Sequence, residues 1–277
     1  MTEPAHIGRA LFLASHPGPT MTVTVAVGAL AYSAGRAPSG VAAVLAAVFA
    51  GQLSTGWCND ARDGARDIAA SRSEKPVVRG WITPPQLAWS AVIALALCLP
   101  LSYVAGGATG GGIHVLAVAS AWFYNLALKT TLFSIVPYVI SFGAVPAFVT
   151  YGLTPSRPPQ LWGVAAAGLI GAAAHLANAA PDIESDQQVG AGGLVAALGA
   201  ATSRLLAVVA LLAASGLVVH QLDVGVGVAA LTVGLLIAGA TVAWRWQGGR
   251  WLFAAVLVMA LVDVALLLSA AGSLATG

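Results

Sequence analysis

The residues with the most chemistry in this sequence are acids, and they are gathered. Seven of the ten acidic residues fall in two places: Asp60, Asp63, Asp67 and Glu74, then Asp182, Glu184 and Asp186. On a helix turning about 100° per residue, Asn59, Asp63 and Asp67 lie within about 80° of one another, with Asp60 on the flank of that face. Asn178, Asp182 and Asp186 repeat the spacing, so N-x-x-x-D-x-x-x-D occurs twice. Side chains that offer only oxygen suit hard divalent cations. Mg2+ takes one or two carboxylates and completes its shell with waters and substrate phosphates. The ladder from Asn59 to Asp67 runs about 12 Å along the helix axis, too long for one ion to touch throughout. Two facing ladders could instead hold two or more Mg2+ around a diphosphate. The bland alternative is a set of solvated loop charges paired with nearby arginines. One cluster alone would fit it, but two with identical spacing on one membrane face argue against it.

Basic residues complete this reading. Arg72, Lys75 and Arg79 follow the first cluster closely, and Lys129 lies just after Tyr124. Cations beside the metal would neutralise a diphosphate leaving group. For Arg245 and Arg250 the ordinary enrichment of basic residues at the cytoplasmic face is explanation enough.

The elements that must position these groups are membrane helices. Of 277 residues, 58% are hydrophobic and 8% charged, and the mean hydropathy is +0.87. A soluble domain carries about 25% charged residues, so this chain lacks the polar surface to cover itself in water. Runs long enough to span a bilayer, about 20 apolar residues each, fall at 14–34, 40–58, 85–105, 111–127, 132–152, 160–180, 203–221, 224–244 and 250–273. The sequence therefore predicts an all-α polytopic membrane protein of about nine transmembrane helices, one domain over 1–277. The Gly- and Ala-rich stretch near 105–112 is the weakest of the breaks. Both acid clusters fall at or just beyond the ends of the second and sixth spans.

Counting basic residues by loop sets the orientation. Ten lie on the side shared by the N-terminus and both acid clusters; only Arg36 and Arg157 lie on the other. This predicts an inner-membrane protein with its N-terminus and acidic loops in the cytoplasm and its C-terminus outside. The opening MTEPAHIGRA has an acid and a proline where a signal peptide would be basic, and reads as a short solvated start. The formal net charge of +2 and the lack of a basic patch with interleaved aromatics imply no nucleic-acid partner. Cys58 and Cys98 read as small core residues, not a disulfide framework or zinc site.

Trp57, Tyr124, Tyr138 and Phe142 lie near the polar motifs, where aromatic faces could attract a cation; for Trp122 and Phe123, packing suffices. His175 lies one turn before Asn178 on the same face, so it could orient a ligand, although a hydrogen-bonded bundle histidine is the plainer reading. Asp263 falls inside the last span and needs a partner there that the sequence does not name.

The chain resembles the UbiA superfamily of intramembrane prenyltransferases. NDARDGARD fits that family's N-D-x-x-D-x-x-x-D, and DIESDQQVG its later D-x-x-x-D-x-x-x-G. SRSEKPVVRGWIT looks like the family's segment after the first motif, and FYNLALKTT like its Tyr-to-Lys stretch. The resemblance implies a bundle around a central cavity, capped by cytoplasmic loops, with Mg2+ holding the diphosphate of an isoprenoid donor. Carried over, Asn59, Asp63, Asp67, Asp182 and Asp186 are metal-site residues, with Asp60 assisting; Asp63, Asp67, Asp182 and Asp186 are those on which catalysis depends. Lys75, Arg79 and Lys129 would contact the diphosphate, with Arg72 a further candidate. Trp57, Tyr124, His175 and Asn178 are candidate cavity residues. The departures are AGGL after Gly190, where many members have a basic residue, and Pro181 directly before Asp182, which would kink or end the sixth helix.

The implied activity is transfer of a prenyl group to a hydrophobic acceptor (aromatic, quinone-precursor or lipid). A UbiA-type terpene cyclase, in which the donor's own double bond traps the cation, uses the same ionisation and no acceptor. A CDP-alcohol phosphotransferase needs both aspartate pairs in one compact stretch, and here they lie far apart. A cation carrier would place its site near the bilayer midplane, whereas both clusters lie at one edge.

Overall fold

In a computed structural model of the protein, the described residues are 4–69, 72–179, 192–222, 234, 241 and 249–276. Among them are eight α-helices, which we number α1 (Pro4–Ala14), α2 (Pro17–Ser33), α3 (Pro38–Ala69), α4 (Pro84–Phe123), α5 (Val136–Tyr151), α6 (Leu161–Ala179), α7 (Leu194–Gln221) and α8 (Gly249–Ser269). A π-helical turn, Tyr124–Leu128, continues α4. Four of these helices are long and apolar enough to cross a membrane: α3, α4 with its π turn, α6 up to Asn178, and α7. The eighth predicted span, 224–244 apart from 234 and 241, and the acids Asp182, Glu184 and Asp186, with Pro181, lie outside the described residues.

α4 is two limbs, not one rod. Gly107 adopts φ 64, ψ −165 inside it, a conformation open to glycine and costly for other residues. Beyond it the chain doubles back, so that a Cβ on Gly111 would lie 2.7 Å from the Tyr103 Cα. In a continuous helix those residues would be about 12 Å apart. Ser102 and His114 bond across the reversal at 2.7 Å, and the His114 ring stacks on Phe148 of α5 at 4.4 Å. The predicted break at 105–112 is this turn.

Two departures from the predicted spans bear on the site. α3 continues through Ala69, well past the apolar run that ends at 58, so the first acid cluster is a helical ladder. Its sequence, NDARDGARDIA, contains no proline and only one glycine, Gly64. That glycine is used for close packing, since a Cβ there would meet the Pro84 Cγ at 2.9 Å. The N-terminus is also not a bare solvated start. Residues 4–14 form α1, with Ala10 and Ala14 fully buried. They pack with Val77, Ile82 and Leu87 in a small apolar cluster, separate from the main core, to which α2 through α8 all contribute. This second cluster anchors the 72–83 loop over the end of α3 that carries the ladder. α4 then starts at a capping box, in which the Thr83 amide donates to Gln86 Oε1 at 2.8 Å.

Candidate active site

The first ladder is buried, and every rung has a cationic partner. Asp60, Asp63 and Asp67 are 1%, 9% and 2% exposed. Lys75 donates to Asp60 Oδ1 at 2.8 Å, and His16 Nε2 meets the same oxygen at 2.9 Å. Lys129 donates to Asp63 Oδ2 and, at 3.0 Å, to Asn59 Oδ1. Arg66 lies 3.7 Å from Asp63, and Arg72 lies 3.6 Å from Asp67. An unpaired buried carboxylate would be very costly; here lysine and arginine compensate each one.

Three elements bring these cations in. Arg66 belongs to α3 itself, and the 72–83 loop supplies Arg72 and Lys75. Lys129 comes from the end of the π turn, where its amide bonds to the Tyr124 carbonyl at 2.9 Å. That wider turn sets Lys129 one turn beyond Tyr124. π turns inside α-helices are rare and cluster at functional sites. Asn125, in the same turn, is buried and donates to the Thr55 carbonyl at 3.0 Å, pinning the turn to α3.

Beside the π turn the polar aromatic residues gather. The Tyr124 and Tyr138 rings meet edge to face at 5.2 Å, and His175 lies 4.8 Å from Tyr138. The Tyr138 side chain also lies within reach of the Tyr124 and Asn178 side chains, and His175 Nε2 bonds Ser134 at 3.0 Å. So Tyr124, His175 and Asn178, three of the four candidate cavity residues, form one group with Tyr138. The fourth, Trp57, is elsewhere. Its indole N–H donates to the Leu11 carbonyl of α1 at 2.8 Å, and its ring lines an apolar groove of about 430 Å³ with Phe49, Leu53, Ile93, Leu97 and Leu101. Arg79 is not brought to the ladder either: it stacks over Trp81 at 4.8 Å and donates to the Ser73 carbonyl at 2.6 Å.

The donor set fits a hard cation in kind. The Lys129 ammonium bridges Asn59 Oδ1 and Asp63 Oδ2. Among the described residues, however, no three His, Cys, Asp or Glu side chains converge on one point. The rungs are about 6 Å apart along α3, so this half of the site needs oxygens from another element or from a ligand.

His16, Asn125 and Ser134 were not anticipated from sequence. Asn125 offered a signal, a polar residue four positions before Lys129. His16 is 44 residues from Asp60 and offered none.

Among curated proteins none matches the chain. Solved structures do. A UbiA homologue of Archaeoglobus fulgidus bound to DMAPP and Mg2+ aligns with TM-score 0.70 and 13% identity, over 95% of this chain and 99% of its own. A digeranylgeranylglyceryl phosphate synthase structure aligns at TM-score 0.69 and 16% identity, over 97% and 99%. The apo UbiA homologue of Aeropyrum pernix K1 aligns at 0.66 and 18%, over 94% and 97%. At these identities the structures establish a shared fold. The profile of the UbiA prenyltransferase family matches residues 21–270, nearly the whole chain, and the protein therefore belongs to the UbiA prenyltransferase family, as an all-helical integral membrane protein.

Proposed function

We propose that the protein is a Mg2+-dependent intramembrane prenyltransferase, which ionises an isoprenoid diphosphate and passes the prenyl group to a hydrophobic acceptor. The observation that carries this reading is the cation already lodged between Asn59 and Asp63, one π turn from the Tyr124–Tyr138–His175 group. Support also comes from homologues of the same fold, which bind DMAPP or GPP with Mg2+.

In this reading Asn59, Asp63 and Asp67 hold one side of the metal site, with Asp182 and Asp186 as the other. Bound Mg2+ would neutralise the diphosphate and make it a better leaving group. Lys75, Lys129 and Arg72, now paired with Asp60, Asp63 and Asp67 respectively, would turn from their carboxylates to meet the diphosphate oxygens. Arg79, held on Trp81, orders the loop that carries Lys75. As the C–O bond of the donor breaks, its electron pair leaves with the diphosphate and the allylic carbon becomes cationic. Tyr124 and Tyr138 turn π-electron density toward such a cation, an attraction worth up to about 2 kcal/mol when desolvated. An electron-rich acceptor atom then forms the new bond and gives up its proton. The whole chain works as one domain, with the ladder at the cytoplasmic face under α1 and the 72–83 loop.

The test is incubation of purified protein and Mg2+ with prenyl diphosphates of ten, fifteen and twenty carbons, with and without lipid or aromatic acceptors. A prenylated acceptor supports the proposal. A cyclic hydrocarbon or alcohol formed without acceptor would make the protein a terpene cyclase instead, and no consumption of any donor would defeat both readings.

A further inference from the structure

We propose that His16 is a positioning residue for Asp60 and Lys75, and that through it α1 serves as the latch on the diphosphate side of the ladder. The inference rests on the prenyl-diphosphate reading above and adds to it a residue that no motif contains. His16 stands at the joint between α1 and α2 and, among the described residues, is the one non-glycine with positive φ, at 52° with ψ 65°. Left-handed backbone is uncommon for a residue with a Cβ, and it persists where surrounding contacts over-determine it. Pro17 follows, and a residue before proline is disfavoured in the helical region. The helix therefore has to break at His16, and the break aims the imidazole at α3.

The joint is held from several sides. The Thr20 hydroxyl donates to the Ser15 carbonyl at 2.6 Å. α3 approaches so closely that a Cβ on Gly56 would lie 3.0 Å from that same carbonyl oxygen. One residue on, the Trp57 indole ties α3 to the Leu11 carbonyl. Ala10 and Ala14 of α1 also pack with Val77 and Ile82 of the loop that carries Lys75.

The chemistry follows from hydrogen-bond roles. A carboxylate only accepts, so His16 Nε2 donates to Asp60 Oδ1, the oxygen that also receives Lys75. Lysine is a point charge on a flexible four-carbon stem, and the ammonium stays where its carboxylate stays. Asp60, aimed by His16, therefore sets where Lys75 waits for the diphosphate. His16 itself touches no reacting atom, so its loss should weaken donor binding and loosen the loop while the remaining site stays assembled.

The experiment compares wild type, His16→Ala and His16→Gln in the full-length protein. Glutamine keeps a neutral N–H donor near the imidazole position. Hydrogen exchange of the ligand-free protein reads the latch directly: exchange over 72–83 should quicken about tenfold in His16→Ala and stay within about threefold of wild type in His16→Gln. Titration with geranyl S-thiolodiphosphate and Mg2+ should show donor binding weakened about tenfold in His16→Ala and largely rescued in His16→Gln. Unchanged exchange over 72–83 in His16→Ala overturns the inference, as does a His16→Gln protein no better than His16→Ala. If the exchange pattern is as expected but wild type binds no thiolodiphosphate, the latch is supported and the diphosphate reading is the part that falls.

Discussion

Two regions of this protein bury acids in a mostly apolar bundle, and they do so in opposite ways. On α3, Asp60, Asp63 and Asp67 each face at least one lysine or arginine, drawn from α3, the 72–83 loop and the π turn. On α8, Asp263 is fully buried and accepts a hydrogen bond from Ser215 of α7; its second oxygen has no partner among the described residues. The ladder is a set of charges held by other charges, which under the proposed function a metal ion and a diphosphate would displace. Asp263 and Ser215 are a polar link between two helices, with no lysine or arginine paired to the acid among the described residues. Burial alone does not set the two regions apart; the difference lies in the lysines and arginines beside the ladder.

Substitutions should separate the two regions by the size of their effect. Asp63→Ala removes a carboxylate flanking the bridged cation, and turnover of a prenyl diphosphate should fall by at least about a thousandfold, at or beyond the upper end for losing one group that stabilises developing charge. Lys129→Met keeps the stem and removes the charge, and should cost about a hundredfold in turnover, as loss of one such stabilising group does. Asp60→Asn keeps the shape but weakens the hold on Lys75; donor KM should rise about tenfold with kcat changed little, because the loss is one of binding. Asp263→Asn should change turnover by less than about twofold and alter thermal stability by a few degrees, since it exchanges one neutral-donor contact for another. A turnover loss for Asp263→Asn as large as that for Lys129→Met would erase the contrast.

Sequence reasoning reached the face before it reached the fold around it. The four-residue spacing of Asn59, Asp63 and Asp67 was legible because helical period alone places them together. Lys75 and Lys129 were legible as cations near acids, and the structure does bring both to the ladder. The extent of α3 was not legible, because apolar run length marks where a helix meets lipid and not where its hydrogen bonding stops. α1 was missed for a related reason. It is short and polar at its start, and its burial comes from a loop some 65 residues later, not from its own periodicity. The reversal in α4 was half visible: a glycine-rich stretch signalled a break, but only Gly107's positive φ makes it a turn. The link from Asp263 to Ser215, 48 residues apart, is a tertiary fact that local spacing does not encode.

The central claim is that the α3 ladder binds a divalent metal together with a prenyl diphosphate. Electron paramagnetic resonance of Mn2+, titrated into wild type and Asp63→Ala with and without geranyl S-thiolodiphosphate, measures this directly. The account predicts that wild type takes up Mn2+ much more tightly with the thiolodiphosphate present, and that Asp63→Ala loses this enhancement. Equal, thiolodiphosphate-enhanced Mn2+ uptake by both proteins would contradict it.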